Sequence, residues 1–137
     1  MITGPKKLVK IANFFSKYFD IKPEVEFKWT DDVNFSECVE FDDGTFEISI
    51  QNWLTKEDLV RVIAHEMTHV WQYCRGDLKG LEEKEVYIWK GQMYKHTNSM
   101  EEYLLRPWEQ EARAFEEICL YWWDNRKKRN ELHGKTN

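Results

Sequence analysis

The chain has 137 residues, of which 42% are hydrophobic and 15% aromatic, including 7 Trp, enough apolar material for a single packed core without disulfide help. Charged residues make up 33%, and the net charge of −5 argues against a general nucleic-acid binder. Cys38, Cys74 and Cys119 are odd in number and widely spaced, which excludes a disulfide framework and a CxxC zinc knuckle and points to reduced core thiols.

No repeat, low-complexity tract or linker divides the sequence, so residues 1–137 are expected to form one domain. Met1 to Lys10 lacks the apolar run of a secretion signal, and no apolar stretch approaches membrane-spanning length. The expectation is a cytoplasmic protein with no membrane partner. Residues 5–19 carry apolar side chains at helical spacing, with Pro5 suited to the first turn. Val25, Phe27 and Trp29 alternate with charged residues as a half-buried strand. Cys38 to Phe41 and Thr45 to Ile50 flank Asp42-Asp43-Gly44, a good hairpin turn.

Thr55 then offers an N-cap with Asp58 three residues on, and the helix it opens is predicted to run to about Cys74, before Gly76. Val86 to Tyr94 reads as a second short hairpin around Lys90-Gly91, and residues 97–106 as a loop or short turn. Pro107 starts a long helix predicted to reach about Leu132, with a basic end at Arg126 to Arg129. Helix, strands, helix, hairpin, helix makes an α+β protein with a small antiparallel sheet.

The helix after Thr55 contains His65-Glu66-Met67-Thr68-His69, an HExxH pentapeptide. Two imidazoles four residues apart share a helical face and can hold one metal ion, with the intervening glutamate beside a water on that ion. The apolar stripe is expected at Leu59, Ile63, Met67, Val70 and Cys74. His65 and His69 project together off its centre, with Glu66 at the boundary. A hydrolytic zinc site needs a third protein ligand. The third histidine of HExxHxxGxxH is ruled out, because those positions hold Gln72 and Arg75.

On the last helix the apolar arc reads as Trp108, Ala112, Phe115, Ile118, Cys119 and Trp122. Glu111 projects inside that arc and Glu109 at its edge. A carboxylate on a core-facing stripe is costly unless paired or bound to metal. Glu111 is therefore the first choice of ligand beside His65 and His69, with Glu109 and His96 as alternatives; His133 sits near the terminus and is a poor candidate. The competing reading of Glu111 is a helix-start charge or a partner of an arginine such as Arg61 or Arg113.

Arg106-Pro-Trp-Glu-Gln-Glu-Ala112, following a Trp-Lys-Gly hairpin and an HExxH helix, resembles the small zincin-type metallopeptidases of phage and bacterial genomes and the wider gluzincin group. The resemblance covers roughly residues 55–123. It implies a minimal zincin-like fold, a Zn2+ cofactor, a protein or peptide substrate, and peptide-bond hydrolysis by metal-activated water with Glu66 as general base. It also implies that Thr45 to Ile50 is the edge strand lining the cleft. Gluzincins often place an Asp four residues after the ligand Glu; Phe115 stands there after Glu111, so the partner that orients a histidine must come from elsewhere.

Tyr94, His96 and Tyr103 lie between the ligand segments as candidate donors to a developing oxyanion. The tryptophans read mainly as core. Two other functions stay open: a zinc-stabilised, non-catalytic binding or inhibitor module, and a DNA-associated protease like the SprT group, suggested by Arg126 to Arg129. The simpler reading of that basic run is a favourable interaction with the helix dipole.

Overall fold

A computed structural model describes residues 1–32, 34–81, 85–96 and 99–127. The fold is α+β, as expected, and among the described residues no helix is long and apolar enough to cross a membrane.

Helix α1 (Lys6–Ser16) buries Leu8, Ile11, Ala12 and Phe15 on one face. Each of the large apolar side chains contributes about 1.5–3 kcal/mol by leaving water. Pro5 stands at the N-cap, one residue ahead of its expected place, and its carbonyl accepts from the N–H groups of Leu8 and Val9. The main sheet comprises β1 (Ile2–Thr3), β2 (Val25–Thr30), β3 (Glu37–Glu40) and β4 (Phe46–Gln51), in the order β1-β2-β4-β3.

The hairpin at Asp42-Asp43-Gly44 forms as read, with β3 antiparallel to β4 and Cys38 opposite Ile48. Asp43 holds the turn by accepting from the backbone N–H and hydroxyl of Thr45. On its other side β4 runs parallel to β2, with Phe27 opposite Ile48, and the two-residue β1 runs parallel to β2. The sheet is therefore mixed.

Helix α2 (Lys56–Cys74) begins at the expected N-cap, where the Thr55 side chain accepts from the Asp58 N–H at 3.2 Å. It buries Leu59, Ile63, Met67 and Val70 as predicted, but Cys74 is exposed at the last turn. Only Cys119 of the three thiols is fully buried; Cys38 is half-buried.

A second sheet follows: β5 (Leu78–Leu81), β6 (Val86–Trp89) and β7 (Gln92–Lys95), an antiparallel meander. Its predicted hairpin turns at Lys90 and Gly91, both at positive φ (48° and 83°), the geometry that suits a two-residue turn between twisted strands. Strand β5 escapes sequence reading because Leu78 is followed by Lys79 and Gly80, too little alternation to mark a strand.

Helix α3 (Met100–Leu105) occupies part of the predicted loop, capped by the Ser99 side chain. Helix α4 (Pro107–Asp124) then crosses α2 antiparallel, pairing Arg61 with Glu117 at one end and Arg75 with Glu111 at the other. Arg126 stacks on Trp123 at 3.7 Å and donates to its carbonyl, a cation at the helix C-terminus as expected. The helix ends at Asp124, with Asn125 as its C-cap, short of the predicted Leu132; residues 128–132 and His133 lie outside the described residues.

The principal core joins α1, the main sheet, α2 and the C-terminal half of α4. A smaller cluster of Leu78, Trp89 and Trp108 lies under the meander, with Tyr73, Tyr87 and Tyr94 against it. Trp29 and Trp53 are exposed, so the reading of the tryptophans as core holds for the other five, which are buried or half-buried.

Candidate metal centre

The side chains of His65, His69 and Glu109 converge at the seam between the two clusters. His65 Nε2 stands 2.9 Å from Glu109 Oε2, His69 Nε2 stands 3.0 Å from Glu109 Oε1, and the two Nε2 atoms are 3.1 Å apart. Glu109 is 4% exposed and His69 8%, so the three donor atoms meet away from bulk water.

What holds the rings fixes their tautomers. His65 Nδ1 lies 2.6 Å from Glu116 Oε1, a carboxylate that can only accept, so Nδ1 carries the proton. His69 Nδ1 lies 2.8 Å from Gln72 Oε1. The Gln72 amide is fully buried, and its nitrogen donates to the Trp108 carbonyl at 2.9 Å and to Glu111 Oε1 at 3.1 Å. Its oxygen therefore faces His69 and requires Nδ1–H there as well. In the neutral rings both Nε2 lone pairs would then point at a carboxylate and at each other. That arrangement is repulsive unless positive charge sits among the three groups, either as protons on the rings or as a cation.

Without a metal the protons take that role. Burial opposes charging His65, but hydrogen bonds with Glu109 and Glu116 outweigh it and push its pKa up to about 10. The His69 pKa is raised against the same burial penalty by Glu109. Burial favours the neutral form of Glu109, yet the two histidines hold its carboxyl well below the usual range. The donor set also suits a zinc ion. Two imidazole nitrogens and a carboxylate oxygen are its common ligands, and tetrahedral ligands at 2.0–2.2 Å stand about 3.3–3.6 Å apart, a few tenths of an ångström wider than the 2.9, 3.0 and 3.1 Å found here.

The structure thus brings Glu109, rather than Glu111, to the two histidines. Glu111 is half-buried and accepts from Arg75 at 2.7 Å and from Gln72, so it serves the outer layer of the site. Arg75 is its arginine partner; Arg61 instead bonds Glu57 and Glu117. The sequence reading erred by rotating the helix. It counted Ile118, which is 43% exposed, and omitted Leu120 and Trp123, which are 8% and 6% exposed.

At about 100° per residue, replacing Ile118 and Trp122 by Leu120 and Trp123 swings the buried arc towards Glu109 and away from Glu111. Glu116, which the sequence places near Glu109 at the edge of the arc without marking a role for it, lies seven residues after Glu109 on the same side of α4. Two carboxylates at that spacing, opposite two histidines that need both a ligand and an Nδ1 partner, were the available signal. In the sequence, Gln72 stands out only as one of the residues that break a longer histidine motif.

His96 lies apart from the donor cluster: its ring stacks on Tyr87 at 4.4 Å, at the exposed end of β7. Tyr94 packs edge-on against Trp108. Of the three candidate oxyanion donors only Tyr103 lines the cleft beside the histidines, with Glu66, His69 and Glu109. Burial and the neighbouring carboxylates raise its pKa, so the phenol stays protonated, and its hydroxyl bonds Glu109.

Glu66 is 6% exposed, and burial raises its carboxyl pKa against the opposing pull of the histidines. The other wall of the cleft is formed by Ser36, Glu37 and Cys38, so β3 supplies the edge. Strand β4, expected there, is bonded on both sides by β2 and β3 and has no free edge to offer. The cleft encloses about 560 Å³, counting space open to solvent. Comparison with protein-family models, with curated proteins and with solved structures finds no match for this chain.

Proposed function

We propose that this protein is a zinc-dependent peptide hydrolase, with His65, His69 and Glu109 as metal ligands and Glu66 as general base. The observation that carries the reading is the tautomer-locked pair of imidazoles. Both Nδ1 atoms are spoken for by Glu116 and Gln72, leaving both Nε2 atoms and Glu109 aimed at one point that requires positive charge. Outer partners of this kind orient ligating histidines and raise their basicity.

A zinc ion held there supplies Lewis acidity towards an amide carbonyl and lowers the pKa of water beside it. Glu66, directly after the first histidine and about 100° round the helix from it, takes a proton from the attacking water and returns it to the leaving nitrogen. Its raised pKa suits both halves of that task. Tyr103, kept protonated, turns its single O–H from Glu109 towards the carbonyl oxygen as negative charge builds on it. The outer edge of β3 offers backbone groups to an extended peptide. A purely structural zinc site has no use for a buried carboxylate at Glu66.

The test combines metal analysis with cleavage of an unfolded protein such as reduced casein. The wild-type chain should purify with near-stoichiometric zinc and cleave casein, and Glu66→Gln should keep the zinc while losing cleavage. Cleavage surviving in Glu66→Gln would remove the proposed base. Stoichiometric zinc with no cleavage of casein by the wild type would favour the non-catalytic binding module, and absence of zinc after metal reconstitution would end both readings.

A further inference from the structure

We infer that Arg106 forms a subsite for a substrate carboxylate, beside the proposed scissile bond; this rests on the peptide-hydrolase reading above and deepens it. Arg106 lines the same cleft as Glu66, His69 and Glu109, and it is the only Lys or Arg among the described lining residues, facing the three acids Glu37, Glu66 and Glu109. Its guanidinium carbon lies 5.2 Å from the Tyr87 ring centre and 5.4 Å from each of the Tyr103 and Trp108 ring centres. Among the described residues no carboxylate pairs with it, whereas Arg61 and Arg75 each bond two.

Three aromatic rings surround the cation, and among the described residues no carboxylate takes up its N–H donors. That planar fork is the donor geometry that receives a carboxylate through two parallel hydrogen bonds. A half-buried arginine with no such partner, the one Lys or Arg among the described residues lining the cleft, is placed to receive the carboxylate from outside.

The backbone ties this anchor to the chemistry. The Glu109 N–H donates to the Arg106 carbonyl at 3.0 Å, so the anchor and the third proposed ligand are one helical turn apart, about 5 Å along the axis. A carboxylate held there belongs to a residue next to the scissile bond. It is either the free C-terminus of the peptide or an Asp or Glu side chain; both present the same group to Arg106.

The experiment measures binding in zinc-loaded Glu66→Gln protein, by tryptophan fluorescence or calorimetry, so that turnover does not enter. Four N-acetylated peptides are compared: Ala-Ala-Phe-Ala as free acid, the same peptide as C-terminal amide, and the amides of Ala-Ala-Phe-Glu and Ala-Ala-Phe-Gln. One carboxylate-bearing peptide should bind about tenfold tighter than its neutral counterpart, a charge-assisted contact of ordinary strength. The free-acid arm identifies a carboxypeptidase-like subsite and the Glu arm an acidic side-chain subsite.

Adding Arg106→Gln should erase the ratio, and Arg106→Lys should keep part of it, because the charge remains while the fork is lost. Equal binding of all four peptides, no binding of either carboxylate peptide, or a ratio that survives Arg106→Gln would overturn the subsite. Loss of all binding in Arg106→Gln through misfolding is separated by the Arg106→Lys ratio and by circular dichroism. The two readings fail separately: a carboxylate preference in a wild-type protein that cleaves nothing removes the hydrolase, while casein cleavage without any preference removes the subsite.

Discussion

The two hydrophobic clusters differ in kind. The principal one is built from aliphatic and Phe side chains such as Leu8, Phe15, Ile48, Ile63 and Met67, all essentially inaccessible, drawn from α1, the sheet and α2. The smaller one has three buried members, two of them Trp, ringed by half-buried tyrosines and Arg106. The first can carry the fold alone; the second is an aromatic platform that is half surface. The proposed metal ligands lie where they meet: α2 carries both histidines, Gln72 ties His69 to the Trp108 carbonyl of the second cluster, and the cleft is walled by that cluster on one side and by β3 on the other. Both clusters therefore contribute to holding the ligands and to shaping the access for a substrate.

The largest effect should come from breaking the first cluster. Phe15→Ala should cost about 3–5 kcal/mol in denaturant unfolding and lower the stability of the whole domain. Trp108→Ala removes comparable apolar surface from the second, and there the loss should be local. Amides of β6 and β7 should exchange faster while those of α1 and α2 keep their protection; a uniform loss would show that the clusters are one unit.

At the seam, Glu109→Ala should weaken zinc binding by more than about 100-fold, whereas Glu111→Ala should change it by less than about tenfold and cost at most about 1 kcal/mol of stability, as a partly exposed pair does. The reverse order of these two variants in a zinc titration would restore Glu111 as ligand. Glu116→Gln should fall between, with affinity reduced about 10–100-fold.

The raised His65 pKa gives stability that is complete below the unfolded value of about 6.5 and fades as pH rises through about 10. The lowered Glu109 pKa gives stability present above about 4.5 and lost as pH falls. These two groups leave metal-free stability level between about pH 4.5 and 6.5 and declining on the alkaline side, while the raised Glu66 pKa removes some stability as pH rises above about 4.5. Zinc binding near neutral pH should release about one proton or more per ion, measured by calorimetry in buffers of different ionisation enthalpy.

What the sequence made legible was whatever depends on local periodicity or local chemistry. The α2 helix, its Thr55 cap, both hairpin turns, the α1 face and the HExxH pair all follow from spacing along one element. What it hid depends on how elements sit against each other. The parallel pairing of β2 with β4, which makes β3 the edge, arises from chain crossover and leaves no mark on β4 itself. The choice between Glu109 and Glu111 turned on a modest rotation of α4, and an amphipathic helix rich in aromatics on several sides does not report that angle. Gln72 and Glu116 were invisible for a related reason: a polar residue that grips another helix looks like any solvated one until its partner is in place.

The grip on the far side of each imidazole also governs how fast an ion could come and go. With Glu116 and Gln72 already clasping the rings, and α2 and α4 joined by Arg61–Glu117 and Arg75–Glu111, departure of an ion leaves a hole of fixed outline. Exchange would then be a matter of entry and exit through the cleft, with no unfolding step on the route. A chelator should empty such a site at a rate set by access past Tyr103, and added zinc should refill it in a protein that never lost its shape.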